Sequence, residues 1–221
     1  ATKDSPDNNF ATFNPLDNYF PASTFTNGNT TQTTHTTYYT YNTSTMCVDS
    51  GKWYVEMKNV TTNSQTIGIA GSVSTATSDE MQNKEYNWGY IVGGQVYSNS
   101  SLIDTYGSYT TGDIIGIGLD LTNNKLYFSL NGVWQGSSNP STGTGGISIT
   151  APSSNNTGWY SFAAGDTAGA AAVTSANFGN GYFGTTAVAS TNADDAGIGS
   201  FEYDVPTGFY ALCTNNLGDQ S

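Results

Sequence analysis

The chain has 221 residues and a formal net charge of −12, and only 10% of its residues are charged, against about 25% in ordinary soluble domains. With 5 Lys, no Arg and 17 acidic side chains, it lacks the cations that neutralise phosphates and read bases, so nucleic-acid binding is excluded and anionic membranes are repelled. Fifteen Tyr, 10 Phe and 4 Trp exclude a disordered chain, and the length suits one domain whose core needs neither disulfide nor metal.

Residues 1–46 are rich in Thr, Asn, Tyr and Pro. They are read as an ordered, extended N-terminal arm with short strands, packing on the main domain and not forming a separate one. Asn14-Pro15 and Asn27-Gly28 mark turns, and Phe10, Phe13, Leu16, Phe20 and Phe25 supply apolar anchors. The main domain spans 47–217. From Gly51 to Lys58 the chain alternates, with Trp53, Val55 and Met57 on one face and Lys52, Glu56 and Lys58 on the other. That pattern predicts a strand with one wet face. Ile67-Gly68-Ile69-Ala70 is a second strand. Tyr90-Ile91-Val92 and Gln95-Val96-Tyr97 flank Gly93-Gly94 and predict a hairpin.

The clearest pattern follows. Ile115, Ile117, Leu119 and Leu121 share one face of a strand, and a break comes at Asn123-Asn124. Leu126, Phe128 and Leu130 point inward from the next strand, and Asn131-Gly132 turns the chain into Val133-Trp134. Asn-Gly suits a type I′ hairpin because both positions tolerate positive φ. Residues 136–158 are read as a long loop. A strand starts at Trp159, the Ala-rich stretch 163–174 is read as loop because Gly165 and Gly169 oppose a helix, and Ala176-Asn177-Phe178 is extended. Residues 184–200, with Asp194-Asp195, are read as an exposed loop, and Phe209–Cys213 as the last strand. No stretch has helical periodicity over about ten residues. Many short strands between turn signals give an all-β sandwich or barrel. No apolar run is long enough to cross a bilayer and no signal segment opens the chain. A start at Ala1 fits either a processed chain or a piece of a longer one.

Catalytic and metal patterns are absent from the sequence, and no cofactor motif is found. Glycoside hydrolysis needs two carboxylates flanking the bond. Glu56 stands alone on its strand, and Asp79, Glu80 and Glu85 read as a solvated acidic turn. His35 lies in a Thr/Tyr-rich stretch, and only an accident of folding would pair it with Cys47. Asp194-Asp195, and Asp120 with Asn123 and Asn124, lack calcium-loop spacing. Cys47 and Cys213 match no metal pattern. They are two separate thiols or one disulfide between early and late strands, which would require Cα atoms within about 7 Å. The binding candidates are the aromatics Trp88, Tyr90, Tyr97, Tyr106 and Tyr109, residue types favoured at interfaces and as sugar platforms, set against ordinary sheet packing. A surface poor in charge predicts binding that depends only weakly on salt.

Several of these segments resemble a known family. Gly51-Lys52-Trp53-Tyr54-Val55-Glu56, Asp113–Asp120, Leu126-Tyr127-Phe128 with Asn131-Gly132, Ala176–Gly179 and Pro206–Leu212 are similar to the signature strands of SPRY domains. The resemblance runs from about residue 51 to 215. It implies an antiparallel, jelly-roll, concanavalin-like β-sandwich with lengthened loops at 136–158 and 184–200. Lys3–Pro6, Asn8–Thr12, Phe13–Asp17 and the ending Ala211–Leu217 further resemble the flanks of SPRY-like domains in virion proteins of tailed phages. That implies a non-enzymatic module at a virion surface, in a tail fibre, appendage or capsid decoration. Its partners would be neighbouring virion proteins or a host-surface glycan or protein, and fibre modules are often homo-oligomers. The alternative is a carbohydrate-binding or adhesion domain of a secreted bacterial protein, and a glucanase-type enzyme is disfavoured by the missing acid pair.

Overall fold

A computed structural model of the chain describes residues 4–18, 22–61, 64–73 and 78–219. Its strands are β1 (Thr24–Thr26), β2 (Thr31–Thr33), β3 (Tyr41–Thr43), β4 (Lys52–Asn59), β5 (Gln65–Ala70), β6 (Asn87–Ile91), β7 (Gln95–Ser98), β8 (Ser101–Thr105), β9 (Ile114–Asp120), β10 (Lys125–Leu130), β11 (Val133–Trp134), β12 (Ile147–Ser148), β13 (Ser161–Asp166), β14 (Val173–Asn177), β15 (Tyr182–Phe183), β16 (Thr186–Ala187) and β17 (Tyr210–Ala211), followed by a short helix α1 (Thr214–Asp219).

Two mostly antiparallel sheets form a sandwich. One runs β1-β2-β14-β4-β9-β10-β11, with β12 on β10 and β17 parallel to β4; the other runs β3-β13-β5-β6-β7-β8. Register carries the predicted alternation across three strands. Val55 faces Ile117, which faces Phe128, and Trp53 faces Leu119, which faces Leu126. Ile67, Ile69, Trp88, Tyr90 and Phe162 of the second sheet join the same core. The Asn131-Gly132 turn has φ of 49° and 79°, and the Asn131 carboxamide accepts from the Ile114 amide at 2.9 Å and donates to Asp113 at 2.8 Å. The turn residues therefore also fasten the start of β9.

The structure corrects the sequence reading at four places. The outer face of β4 is wet only at its ends: Lys52 and Lys58 are part-exposed, but Glu56 between them is fully buried, because the segment leading to β17 lies over it. Glycines permit this. A Cβ on Gly118 would lie 3.2 Å from the Phe209 ring, and one on Gly116 would lie 2.7 Å from the Tyr54 hydroxyl. The Ala-rich stretch is not one loop, since β13 continues to Asp166 and β14 begins at Val173; Ala163, Ala164 and Gly165 are small enough to lie between β3 and β5.

The remaining corrections concern the Leu16 anchor and the late loop. The N-terminal arm carries short strands, β1 and β2 in one sheet and β3 in the other. Phe10 and Phe13 are buried, but Leu16 is 88% exposed and anchors nothing; Phe20 and Lys3 lie outside the described residues. The 184–200 stretch is not simply an exposed loop, because it holds β16 and the buried Asp194. Of the two readings of the cysteines, separate thiols, and not the disulfide, is the one found. Cys213 is buried opposite Phe10, while Cys47 is exposed beside Val48, which pairs with Tyr160. Both thiols are free.

Candidate functional site: a cleft between the arm and a late hairpin

Most of the predicted aromatic surface is core. Trp88, Tyr90 and Tyr109 are 6%, 0% and 3% exposed. Trp88 packs edge-on against Tyr160, and the Tyr90 ring lies 5.1 Å from Tyr109, 5.6 Å from Tyr106 and 5.4 Å from Phe128. Their hydroxyls are spent on backbone. Tyr109 donates to the carbonyls of Gln65 and Tyr90 at 3.2 and 3.0 Å, and Tyr90 donates to that of Gly107. Burial raises the Tyr90, Tyr106 and Tyr109 phenols, so they stay neutral. Tyr106 is half-buried against Gly136. Tyr97 alone faces a shallow depression, with Glu80, Gln82, Asn83 and Ser100 around it.

The conspicuous acids are structural as well. The Glu56 carboxylate accepts four hydrogen bonds, from the amides of Glu202 and Tyr203 at 2.8 Å each, the Tyr54 hydroxyl at 3.1 Å and the Asn177 carboxamide at 3.4 Å. Burial nevertheless pushes its pKa from 4.5 up to about 7. Asp194, read from sequence as exposed, accepts from the amides of Ile198, Gly199 and Ala211 and from the Asn216 carboxamide, at 2.7–2.8 Å. Asp120 is held by Lys52 and by Asn123, so its loop needs no cation. His35 Nδ1 accepts from the Thr37 and Tyr38 amides as a turn cap. Asp79 pairs with Lys84. Among the described residues no three His, Cys, Asp or Glu side chains cluster as metal ligands.

The concave site lies elsewhere. The arm at Asp4 and Phe10–Thr12, the β1–β2 turn at Asn27–Thr30, Asn180, and the β15–β16 hairpin at Tyr182, Gly184 and Thr185 enclose a cleft of about 360 Å³. Turn chemistry shapes its rim, with Asn27 and Gly28 at φ of 55° and 66° and Gly184 at 62°. Hydrogen bonds fix what it offers. Asp4 accepts from the Phe10 amide at 2.9 Å. The Thr12 and Thr30 hydroxyls donate to the carbonyls of Phe13 and Asn27, at 3.1 and 2.8 Å, which leaves their lone pairs for a ligand. Asn180 is 5% exposed, yet its Oδ1 has no hydrogen-bond partner. Across the hairpin tip a second cleft shares Asn27, Gly184 and Thr185 and contains Lys58, whose ammonium sits 5.9 Å from the Phe183 ring centre.

The cleft was not read from the sequence as a site, although Phe10 was read as an anchor and Asn27-Gly28 as a turn. The one local signal is Asn180 between Gly179 and Gly181, a polar residue where backbone approaches closely. Nothing in the sequence says that residue 180 meets residues 4–12.

The architecture has known counterparts. The SPRY domain family pattern matches residues 51–142, from the start of β4 to the turn after β11. Among solved structures, the SPRY domain of human HERC1 is similar at a TM-score of 0.59 and 17% identity, over 74% of this chain and 96% of that one. No curated protein sequence matches the chain. The alternating strands, the Asn131-Gly132 hairpin and these two likenesses together make the chain a SPRY-like β-sandwich.

Proposed function

We propose that the chain is a non-catalytic interaction module at a virion surface, within a tail fibre, appendage or capsid decoration, outside the cell. It would bind neighbouring virion proteins or a host surface. The observation that carries this reading is the joining of the two segments whose sequences resemble phage virion modules. The Ala11 amide donates to the Leu212 carbonyl at 2.9 Å, the Thr214 amide donates to the Asn9 carbonyl at 3.0 Å, and the Asn215 amide donates to Asn8 Oδ1 at 3.2 Å. Lead-in and ending thus form one continuous face, which would be needed if they act as a unit. SPRY domains in general are non-catalytic interaction modules, and the buried acids Glu56 and Asp194 are committed to structural donors. Mass spectrometry of purified particles tests the proposal. The chain should be present at many copies per particle; its absence from particles refutes the virion role.

A second reading, a carbohydrate-binding or adhesion domain of a secreted bacterial protein, is favoured by the Tyr97 depression. There an aromatic residue stands with Glu80, Asn83 and the unpartnered Gln82 Oε1. Saturable binding of the isolated chain on a glycan array, lost on Tyr97→Ala, would support it.

A further inference from the structure

We infer that the cleft between β4 and the β15–β16 hairpin receives a single carboxylate, the Asp or Glu side chain of a protein partner, on the ammonium of Lys58. This inference rests on the interaction-module reading and names the chemistry of its partner.

Strand register builds the floor of this site. Lys58 on β4 stands opposite Ser175 on β14, and Ser175 stands opposite Thr31 on β2. Residues directly opposite in a sheet point to the same face, so the three form one row across three strands, with the β15–β16 hairpin as a wall. Gly184 of that hairpin keeps the space beside the row open. A Cβ there would lie 2.9 Å from Asn27 Nδ2, 3.0 Å from Thr31 Oγ1 and 3.4 Å from Ser175 Oγ. Three polar atoms thus converge on one small volume. Asn27 donates to Thr31 at 3.1 Å, and the Thr31 and Ser175 hydroxyls lie 2.9 Å apart and share one hydrogen. The other hydroxyl hydrogen finds no acceptor among the described residues and is left to donate to a ligand.

Charge selects that ligand. Lys52 pairs with Asp120, Lys84 pairs with Asp79, and Lys125 donates to Ser148. Lys58 has no carboxylate within ion-pair distance among the described residues, and neither Asp nor Glu lines its cleft. In a chain of net charge −12, this ammonium in a concave surface is the place where an incoming carboxylate is attracted and held by a charge-assisted hydrogen bond. One lysine matches one negative charge, whereas a phosphate carries nearly two and calls for further cations that the cleft lacks. The overall negative charge repels a strongly acidic partner, so the fit is to one carboxylate on an otherwise weakly charged segment. A saccharide is the poorer occupant. The aromatic ring of the lining, Phe183, is 6% exposed, and the Lys58 ammonium sits over it, 5.9 Å from its centre, which leaves no platform for stacking. Val60, 39% exposed, offers apolar surface to the methylene stem of Asp or Glu. The volume of about 290 Å³ is at the lower end for ligand clefts, roughly 300–1,000 Å³, and suits one side chain.

The test is a titration of the ¹⁵N-labelled chain followed by amide chemical shifts. The probes are acetyl-Gly-Glu-Gly-amide, its glutamine counterpart of the same shape without charge, and methyl glucuronide, which carries its carboxylate on a sugar. The glutamate probe should move the amides of Lys58, Ser175 and Gly184 saturably. The glutamine probe should bind about fivefold more weakly, the size of a part-exposed ion pair, and the glucuronide should also bind more weakly than glutamate. Lys58→Met keeps an apolar stem on the Phe183 ring and should make the two peptides bind alike. The inference is overturned if glutamine binds as tightly as glutamate, or if glutamate moves none of these amides at its solubility limit. A glucuronide that binds as tightly as glutamate, or more so, would mark a sugar site and overturn it too, as would a preference for glutamate that survives Lys58→Met. The peptide comparison is made on the unaltered chain, so it decides the matter even where Lys58→Met does not fold. Such a failure would leave the virion role standing, since that role is read from particle composition.

Discussion

Glu56 makes the protein's stability fall as pH rises through neutrality. Its carboxyl is buried, and in the folded chain its pKa is pushed from 4.5 up to about 7. Between those values the folded state holds a proton that the unfolded state has lost. The sign follows directly: the stabilisation is complete below pH 4.5 and disappears as pH passes 7. Its full size is about 3 kcal/mol, of which roughly 2–3 kcal/mol is lost between pH 5 and pH 8. Asp166, pushed by burial from 3.8 to about 6, acts in the same direction, so Glu56 must be isolated by substitution. Glu56→Gln removes the titration. It also turns an amide nitrogen toward two of the four donors that meet the carboxylate, from Tyr54, Asn177, Glu202 and Tyr203. The variant should therefore be clearly less stable than the parent at pH 5, and the gap should shrink by about 2–3 kcal/mol at pH 8. Urea unfolding followed by tryptophan fluorescence at both pH values measures it. A gap that stays constant, or widens toward alkaline pH, would refute the reasoning.

Three further outcomes are expected. Gly132→Ala forces a side chain into a backbone with φ of 79° and places its Cβ 2.6 Å from the Tyr203 ring; a lower urea midpoint, by about 2 kcal/mol or more, should result. Asp194→Ala strands four donors, three of them backbone amides, and should cost about 3 kcal/mol or more, read as a fall in melting temperature and faster proteolysis within 184–200. A thiol reagent should label one cysteine, Cys47, in the folded chain and both after unfolding. Because loss of water around its sulfur and then Asp49 push the Cys47 thiol up, labelling should accelerate at alkaline pH.

Legibility tracked the range of the interactions involved. The β9–β10 hairpin could be read because each residue's partner lies within the same 18 residues, and the Asn131-Gly132 turn states its own geometry. The outer face of β4 could not, because the segment covering Glu56 is some 146 residues away in the chain. Charge at position 56 looked like solvent exposure, although three distant donors and the neighbouring Tyr54 hydroxyl make burial tolerable. The tyrosines misled for a related reason. Their hydroxyls suit an interface, but backbone carbonyls of Gln65, Tyr90 and Gly107 satisfy them in the core, and no local pattern distinguishes the two settings. Strands of three residues such as β1 to β3, rich in Thr, are too short to show alternation. The cleft is assembled from three separate stretches of chain and had no signature to find.

Cross-linking mass spectrometry of intact particles tests the central claim most directly. Links from partner chains should concentrate around residues 4–12, 27–30 and 180–187, with Lys58 as a reactive neighbour. Links confined to the Tyr97 face, or particles that contain no copy of the chain, would contradict the account.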